Sequence, residues 1–174
     1  LVLNKKEWFR ENKYTMEERL KNSVEALAVN IYWDMGEGYQ PDRYVSIVPT
    51  VLPGHKLCFH CNQIPKSCVK VRFDPTLNHY CIVSDIHVVT DVSSCLIHPL
   101  NGVQFNGFIV FGTMNPQMEF DVPKGAVWFE ITANIEWYSG AEIGEVFAAV
   151  QELPKLEQME GGQALINRLT EDLQ

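Results

Sequence analysis

The residues best equipped for chemistry fall in a few short segments. Cys58-Phe-His-Cys61 sets two thiols around a histidine, and Asp85-Ile-His87 brings a carboxylate and an imidazole to one side of an extended segment. The first spacing invites zinc, whose knuckles gather two thiolates at a tight turn. Here the pair lies inside Lys56-Leu-Cys-Phe-His-Cys-Asn62, which reads as a strand, and positions 58 and 61 of a strand point to opposite faces. Asp85 and His87 could touch a metal or a substrate, or could sit on a solvated polar face. The histidines at 55, 60, 79, 87 and 98 show no ligand spacing. No Gly-x-Ser-x-Gly elbow, phosphate-binding glycine loop or dinucleotide fingerprint is present. Glu130 and Glu136 share a strand face but would lie roughly 20 Å apart at about 3.3 Å per residue. A glycosidase pair needs roughly 5 to 9.5 Å. No catalytic residue is therefore expected in this chain.

Sugar binding asks for less. It needs an aromatic surface for the C–H-rich side of a pyranose, and carboxylates or amides for its hydroxyls. Trp128, Glu130, Asn134, Glu136 and Tyr138 offer these from one face of a single strand, with Tyr32, Asn30 and Asp34 supplied by a paired strand and Tyr39 at the adjoining loop. The competing expectation is that Trp128 and Tyr138 lie under the chain's terminal helices, so that the strip is a packing surface. Asp34 and Glu37 flank glycines in a loop that could hold a structural Ca²⁺ through oxygen ligands. A tight turn fixed by hydrogen bonds is the simpler expectation. Arg72 and Asp74 read as a structural ion pair rather than a ligand contact.

The element that must position these groups is Ala126-Val-Trp-Phe-Glu-Ile-Thr-Ala-Asn-Ile-Glu-Trp-Tyr138, whose apolar residues recur at every second position. Val127, Phe129, Ile131, Ala133, Ile135 and Trp137 fall on one side of a long strand, and the polar strip on the other. Further strands are expected at residues 27 to 34, 43 to 49, 56 to 62, 68 to 74 with Val69, Val71 and Phe73 inward, 81 to 92 with Ile82, Ile86 and Val88 on one face, 104 to 113, and 117 to 122. About eight strands with turn signals between them and no helix interposed point to a mainly β, antiparallel, jelly-roll-like sandwich over residues 26 to 139. Residues 1 to 25 are expected to be an N-terminal helix, with a capping box at Thr15-Met-Glu-Glu18. Residues 140 to 174 are expected to be C-terminal helices linking to a following domain.

The chain has 174 residues, enough for one domain with appendages, and a formal net charge of -8 that disfavours nucleic acid and anionic membrane as partners. No apolar run is long enough to cross a membrane as a helix, and the start lacks the pattern of a signal peptide or an initiator Met. A fragment of a longer, cytoplasmic protein is expected. Cys58, Cys61, Cys68, Cys81 and Cys95 form an odd set that cannot all pair internally, which suits free thiols in a reducing compartment.

Ile31-Tyr-Trp-Asp-Met-Gly-Glu-Gly-Tyr39 and Val69-Lys-Val-Arg-Phe-Asp-Pro75 carry an Asp-x-Gly-x-Gly-aromatic loop and an Arg-Phe-Asp-Pro strand end. In these motifs the chain resembles a β-sandwich accessory module of large bacterial glycosyltransferases and methyltransferases that build rhamnan-type or O-antigen cell-surface polysaccharide. The resemblance covers roughly residues 26 to 138. It implies a non-catalytic, carbohydrate-binding-like domain whose partners are a glycan and the other domains of the same polypeptide. Two alternatives stay open: a spacer that forms homo-oligomers through its terminal helices, and an enzyme with an unrecognised site.

Overall fold

The computed structural model describes residues 13–14, 24–105 and 107–138. In chain order the described strands are β1 (Lys13–Tyr14), β2 (Val29–Asp34), β3 (Tyr39–Ile47), β4 (Thr50–Val51), β5 (Leu57–Cys61), β6 (Lys70–Asp74), β7 (Tyr80–Thr90), β8 (Ser94–Cys95), β9 (His98–Pro99), β10 (Val103–Phe105), β11 (Phe108–Phe111), β12 (Met118–Asp121) and β13 (Phe129–Tyr138). All pairings are antiparallel and form two sheets. Sheet A runs β10-β11-β7-β13-β5-β4, with β1 added to β13 and β8 to β7, and sheet B runs β3-β2-β6-β12-β9. The chain passes from one sheet to the other at β1 to β2, β3 to β4, β5 to β6 and β6 to β7, and again on each side of β9 and of β12.

Strand β13 shows why the two sheets close on each other. Phe129, Ile131, Ala133, Ile135 and Trp137 alternate along it and are all buried, as the two-residue period requires. They meet Val29, Ile31, Val71, Phe73, Met118 and Phe120 from sheet B in one hydrophobic core. Each such large apolar side chain contributes about 1.5–3 kcal/mol on burial. Aromatic edges interlock across the gap: Phe129 meets Phe120 at 5.3 Å and Trp33 at 6.2 Å, and Phe59 meets Phe73 at 5.1 Å.

Several expectations are corrected at strand ends and irregularities. Val127 is 54% exposed and Val69 47% exposed, because both precede the regular strand and belong to linking hydrogen bonds instead of the pleat. The Val69 N–H donates to the Asp34 carbonyl, and the Val127 carbonyl accepts from the Ile64 N–H. Ile82 does not share a face with Ile86 and Val88. Thr132 pairs with His87 and Asn134 with Ser84, so Asp85 and Ile86 together oppose Ala133. This bulge, with Asp85 at φ 48°, exchanges the faces of β7 at its middle. Residues 104 to 113 are a hairpin, not one strand, turned at Gly107, whose φ of 89° only glycine adopts cheaply. β3 begins at Tyr39, earlier than expected.

Of the expected N-terminal helix, Lys13–Tyr14 instead pairs as a strand with Tyr138 and Trp137, and Val24–Leu27 is a 3-10 turn. The remainder of that helix and the helices expected over 140 to 174 lie outside the described residues. Among the described residues no helix is long and apolar enough to cross a membrane.

Because Phe129 contacts aromatic rings from two strands of the opposite sheet, its truncation should be among the costliest single changes. Phe129→Ala is expected to lower unfolding stability by about 3–5 kcal/mol in guanidinium titration.

Candidate functional site

The structure separates the residues that sequence periodicity grouped together. β2 pairs with β3 and β6, not with β13, so Asn30, Tyr32 and Asp34 stand on the outer face of sheet B while Glu130, Asn134, Glu136 and Tyr138 stand on the outer face of sheet A. The single strip expected from the sequence is thus two faces on opposite sides of the core. Alternation tells which residues of a strand share a face, but not which strand lies alongside.

On sheet A the polar strip divides again. At its far end Tyr138 is wholly buried and donates its hydroxyl to Glu136 at 2.9 Å. Burial, then the neighbouring Glu136 charge, pushes its hydroxyl well above the ordinary tyrosine value. A sugar ring has no access to its face. Asn134, between Glu136 and Thr132 on β13, is half-buried.

The near end is open to solvent. Cys58 opposes Thr132 in the register and donates its thiol to Glu130 Oε1 at 2.7 Å. His60 opposes Glu130, with Nδ1 3.9 Å from Oε2, and its ring lies 5.7 Å from that of Trp128. Trp128, half-buried, is held in place from the main chain: Asp91 Oδ1 accepts the N–H groups of Val127 at 2.8 Å and Trp128 at 3.3 Å. Those bonds, the Val127 one first, hold the Asp91 carboxyl below the usual aspartate range. Cys61, in contrast, faces the core, so the two thiols of Cys58-Phe-His-Cys61 do point apart. Nearby, the Asp85 carboxylate takes Lys56 Nζ at 2.6 Å and His87 Nε2 at 2.8 Å, contacts that lower its pKa.

Beside this cluster a groove of about 570 Å³ opens at the side of the sandwich, lined by Trp33, Val45 and Ile47 from sheet B and by His60, Cys61, Asn62, Gln63 and Pro65 from the end of β5. Its origin is the short edge strand β4, which covers β5 only at Leu57 and Cys58. From Phe59 onward no described strand pairs with that edge of β5, and the groove lies between it and β3. Exposed Asn62 and Gln63 set amides beside His60, opposite the apolar surface of Val45 and Ile47. Sequence reading missed Asn62 and Gln63, which follow a strand in a loop and have no periodic signature.

The outer face of sheet B is built around Arg72. Its guanidinium lies 4.0 Å from the ring centre of Tyr32 and 5.5 Å from that of Tyr39, and it grips Asp74 with two hydrogen bonds of 2.9 and 3.0 Å. The ion pair read from the sequence is present and bidentate. Asp74 is 3% exposed. Burial pushes its carboxyl above the ordinary value, and Arg72 pulls the other way. Tyr39 donates its hydroxyl to Glu119 Oε2 at 2.9 Å, and its pKa is raised by burial first and by Glu119 next. Asp34 Oδ1 accepts the N–H groups of Gly36 at 2.8 Å and Gly38 at 2.9 Å, which fixes the loop as a tight turn. These bonds engage one oxygen of the Asp34 carboxylate, and Glu37 is exposed in the same loop. Among the described residues no three His, Cys, Asp or Glu side chains gather as metal ligands.

Two outcomes follow from these contacts. Burial, then the hydrogen bond to Glu130, raises the Cys58 thiol from 9.0 to about 12, so its protonated form is the one the fold favours. A raised value means that the stabilisation is complete below the unfolded value and is lost as pH climbs. Cys58 should therefore resist alkylation at pH 8, and the midpoint of unfolding should fall between about pH 9 and 12 by more than in Cys58→Ala. Arg72→Ala should cost about 3–5 kcal/mol in denaturant titration by leaving Asp74 buried and unpaired. Arg72→Lys should recover little of it, because an ammonium cannot span both oxygens and stack on a ring.

Comparison with known proteins returns no matching family model, no matching curated protein and no matching solved structure.

Proposed function

We propose that this chain is a non-catalytic carbohydrate-binding module, with jelly-roll-like winding, of a bacterial multidomain protein that builds or modifies cell-surface polysaccharide in the cytoplasm. The observation that carries this reading is the set of groups on the outer face of sheet A that meets the groove beside β5 at His60. Trp128, half-buried and stabilised by Asp91, lies against His60, with Glu130 held between His60 and Cys58. Asn62 and Gln63 add amides, and Val45 and Ile47 add apolar surface. An aromatic plane beside a carboxylate and amides suits a pyranose, whose faces are C–H-rich and whose rim is hydroxyl. The raised thiol of Cys58 argues against a nucleophile there, since the thiolate is the reactive form. The resemblance in residues 31 to 39 and 69 to 75 supplies the parent protein and the class of glycan.

A second reading, a spacer or oligomerisation domain without a ligand, draws on one observation. Tyr138 and Ile82 are buried on the outer face of sheet A, so that end of the strip is a packing surface. A dimer in sedimentation that dissociates when residues 1 to 25 are removed would favour it.

The test is an array of bacterial surface glycans, rhamnans included. Binding by the native chain, lost at least tenfold in Trp128→Ala with an unchanged circular dichroism spectrum, is expected. Silence across the array would remove the saccharide reading.

A further inference from the structure

We propose that the groove and the outer face of sheet B form one saccharide track that crosses the edge strand β3, so that the ligand is an extended glycan chain instead of a single sugar. This rests on the saccharide reading of the groove and adds to it the class of ligand.

Successive residues of a strand point to opposite faces. On β3, Val45 and Ile47 line the groove, while Tyr44 and Ser46 pair with Tyr32 and Asn30 on the outer face of sheet B. β3 is the last strand of sheet B, and no described strand pairs with its free side. A ligand leaving the groove at Val45 and passing round this open edge therefore reaches the outer face at the neighbouring residue, Tyr44.

The outer face is equipped to receive it. Tyr44 is 48% exposed and stacks on Tyr32 at 5.3 Å with its ring tilted by 34°. It begins a row that runs across the sheet through Tyr32, Arg72 and Glu119 to His98. Next to it Ser46 donates its hydroxyl to Asn30 Oδ1 at 2.8 Å, which leaves the Asn30 amide hydrogens to a ligand oxygen. Charges on this face close on one another. Arg72 meets Asp74, while Lys70 at 3.6 Å and His98 at 3.4 Å both reach Glu119. What remains beside the row is a half-exposed ring and the neutral Ser46–Asn30 pair, with Asp42 and Arg43 of opposite sign further along β3, a match for an uncharged, hydroxyl-rich chain. An anionic polymer would meet a chain of net charge -8 in which Lys70 and Arg72, the cations of this row, are already engaged.

Calorimetry on a monomer-to-hexamer series of the surface glycan retained on the array, rhamnose oligomers first, tests the track. Tyr44→Ala is expected to weaken the hexamer by about two- to tenfold, the size of one aromatic contact, and to leave the monomer unchanged. Trp128→Ala should weaken both. Ser46→Ala, an exposed change that does not disturb the core, should repeat the length-selective loss at smaller size. Equal losses for monomer and hexamer in Tyr44→Ala, or none for either, would overturn the track and leave the groove standing. A native chain that binds no member of any array glycan series would instead overturn the saccharide reading itself.

Discussion

The spacing between the two sheets is fixed by aromatic side chains that reach across it, and most of the structure depends on that contact. Phe129 lies edge-on to both Phe120 and Trp33, which come from different strands of sheet B, and Phe59 meets Phe73 in the same way. Such pairs contribute about 0.5–1.5 kcal/mol beyond the area they bury. Their greater effect is on register. β13 lies between β5 and β7, so a slip of one residue in its pairing would turn Phe129, Ile131 and Ile135 out of the core and bring Glu130 and Glu136 into it. The charged residues of β13 thus specify the register as firmly as its apolar ones.

The groove is the complement of this closure. Where β4 stops after two residues, the edge of β5 continues without a partner while β3 continues opposite it, and Val45 stays exposed although it has the parity of a core residue. Extending β4 would pair the edge and fill the space. A short edge strand also limits unwanted pairing with other chains, as do Pro41, Asp42 and Arg43 along exposed β3. One feature of the edge therefore both discourages aggregation and leaves an opening of ligand size.

Most of the fold is legible in the sequence, and the site is legible only in part. The alternation in residues 129 to 137 is unbroken, and every apolar residue in it is buried, because a strand with one core face has no other way to place them. The Asp34 turn is readable from Gly36 and Gly38, both of which adopt positive φ. The bulge at Asp85 leaves no such mark, since no glycine stands there, and it reverses the face of Ile82. Strand partnership is the larger gap. Tyr32 and Trp128 have matching patterns, but the chain crosses between sheets several times, and only tertiary packing decides that β2 joins β6 while β13 joins β5 and β7. Asn62 and Gln63 belong to the groove only because of where β4 ends, which no local pattern encodes.

The two outer faces differ in how they satisfy their charges, and this bears on the kind of ligand each can take. Sheet B presents Arg72 to Asp74, and Lys70 and His98 to Glu119, so most of its ionic capacity is spent within the face. Sheet A presents Glu130 to a neutral thiol and, at 3.9 Å, to a histidine, so its carboxylate keeps capacity for another donor. A hydroxyl donates to a carboxylate more strongly than to a neutral acceptor, because charge-assisted bonds are shorter and about twice as strong. In the proposed saccharide track, orientation is set beside the groove, where Glu130 accepts, and length is read on sheet B, where the row's charges are paired. With a net charge of -8 there is little long-range attraction for a polyanion, so recognition has to come from contact. Under that proposal, the division places specificity on sheet A and added affinity on sheet B.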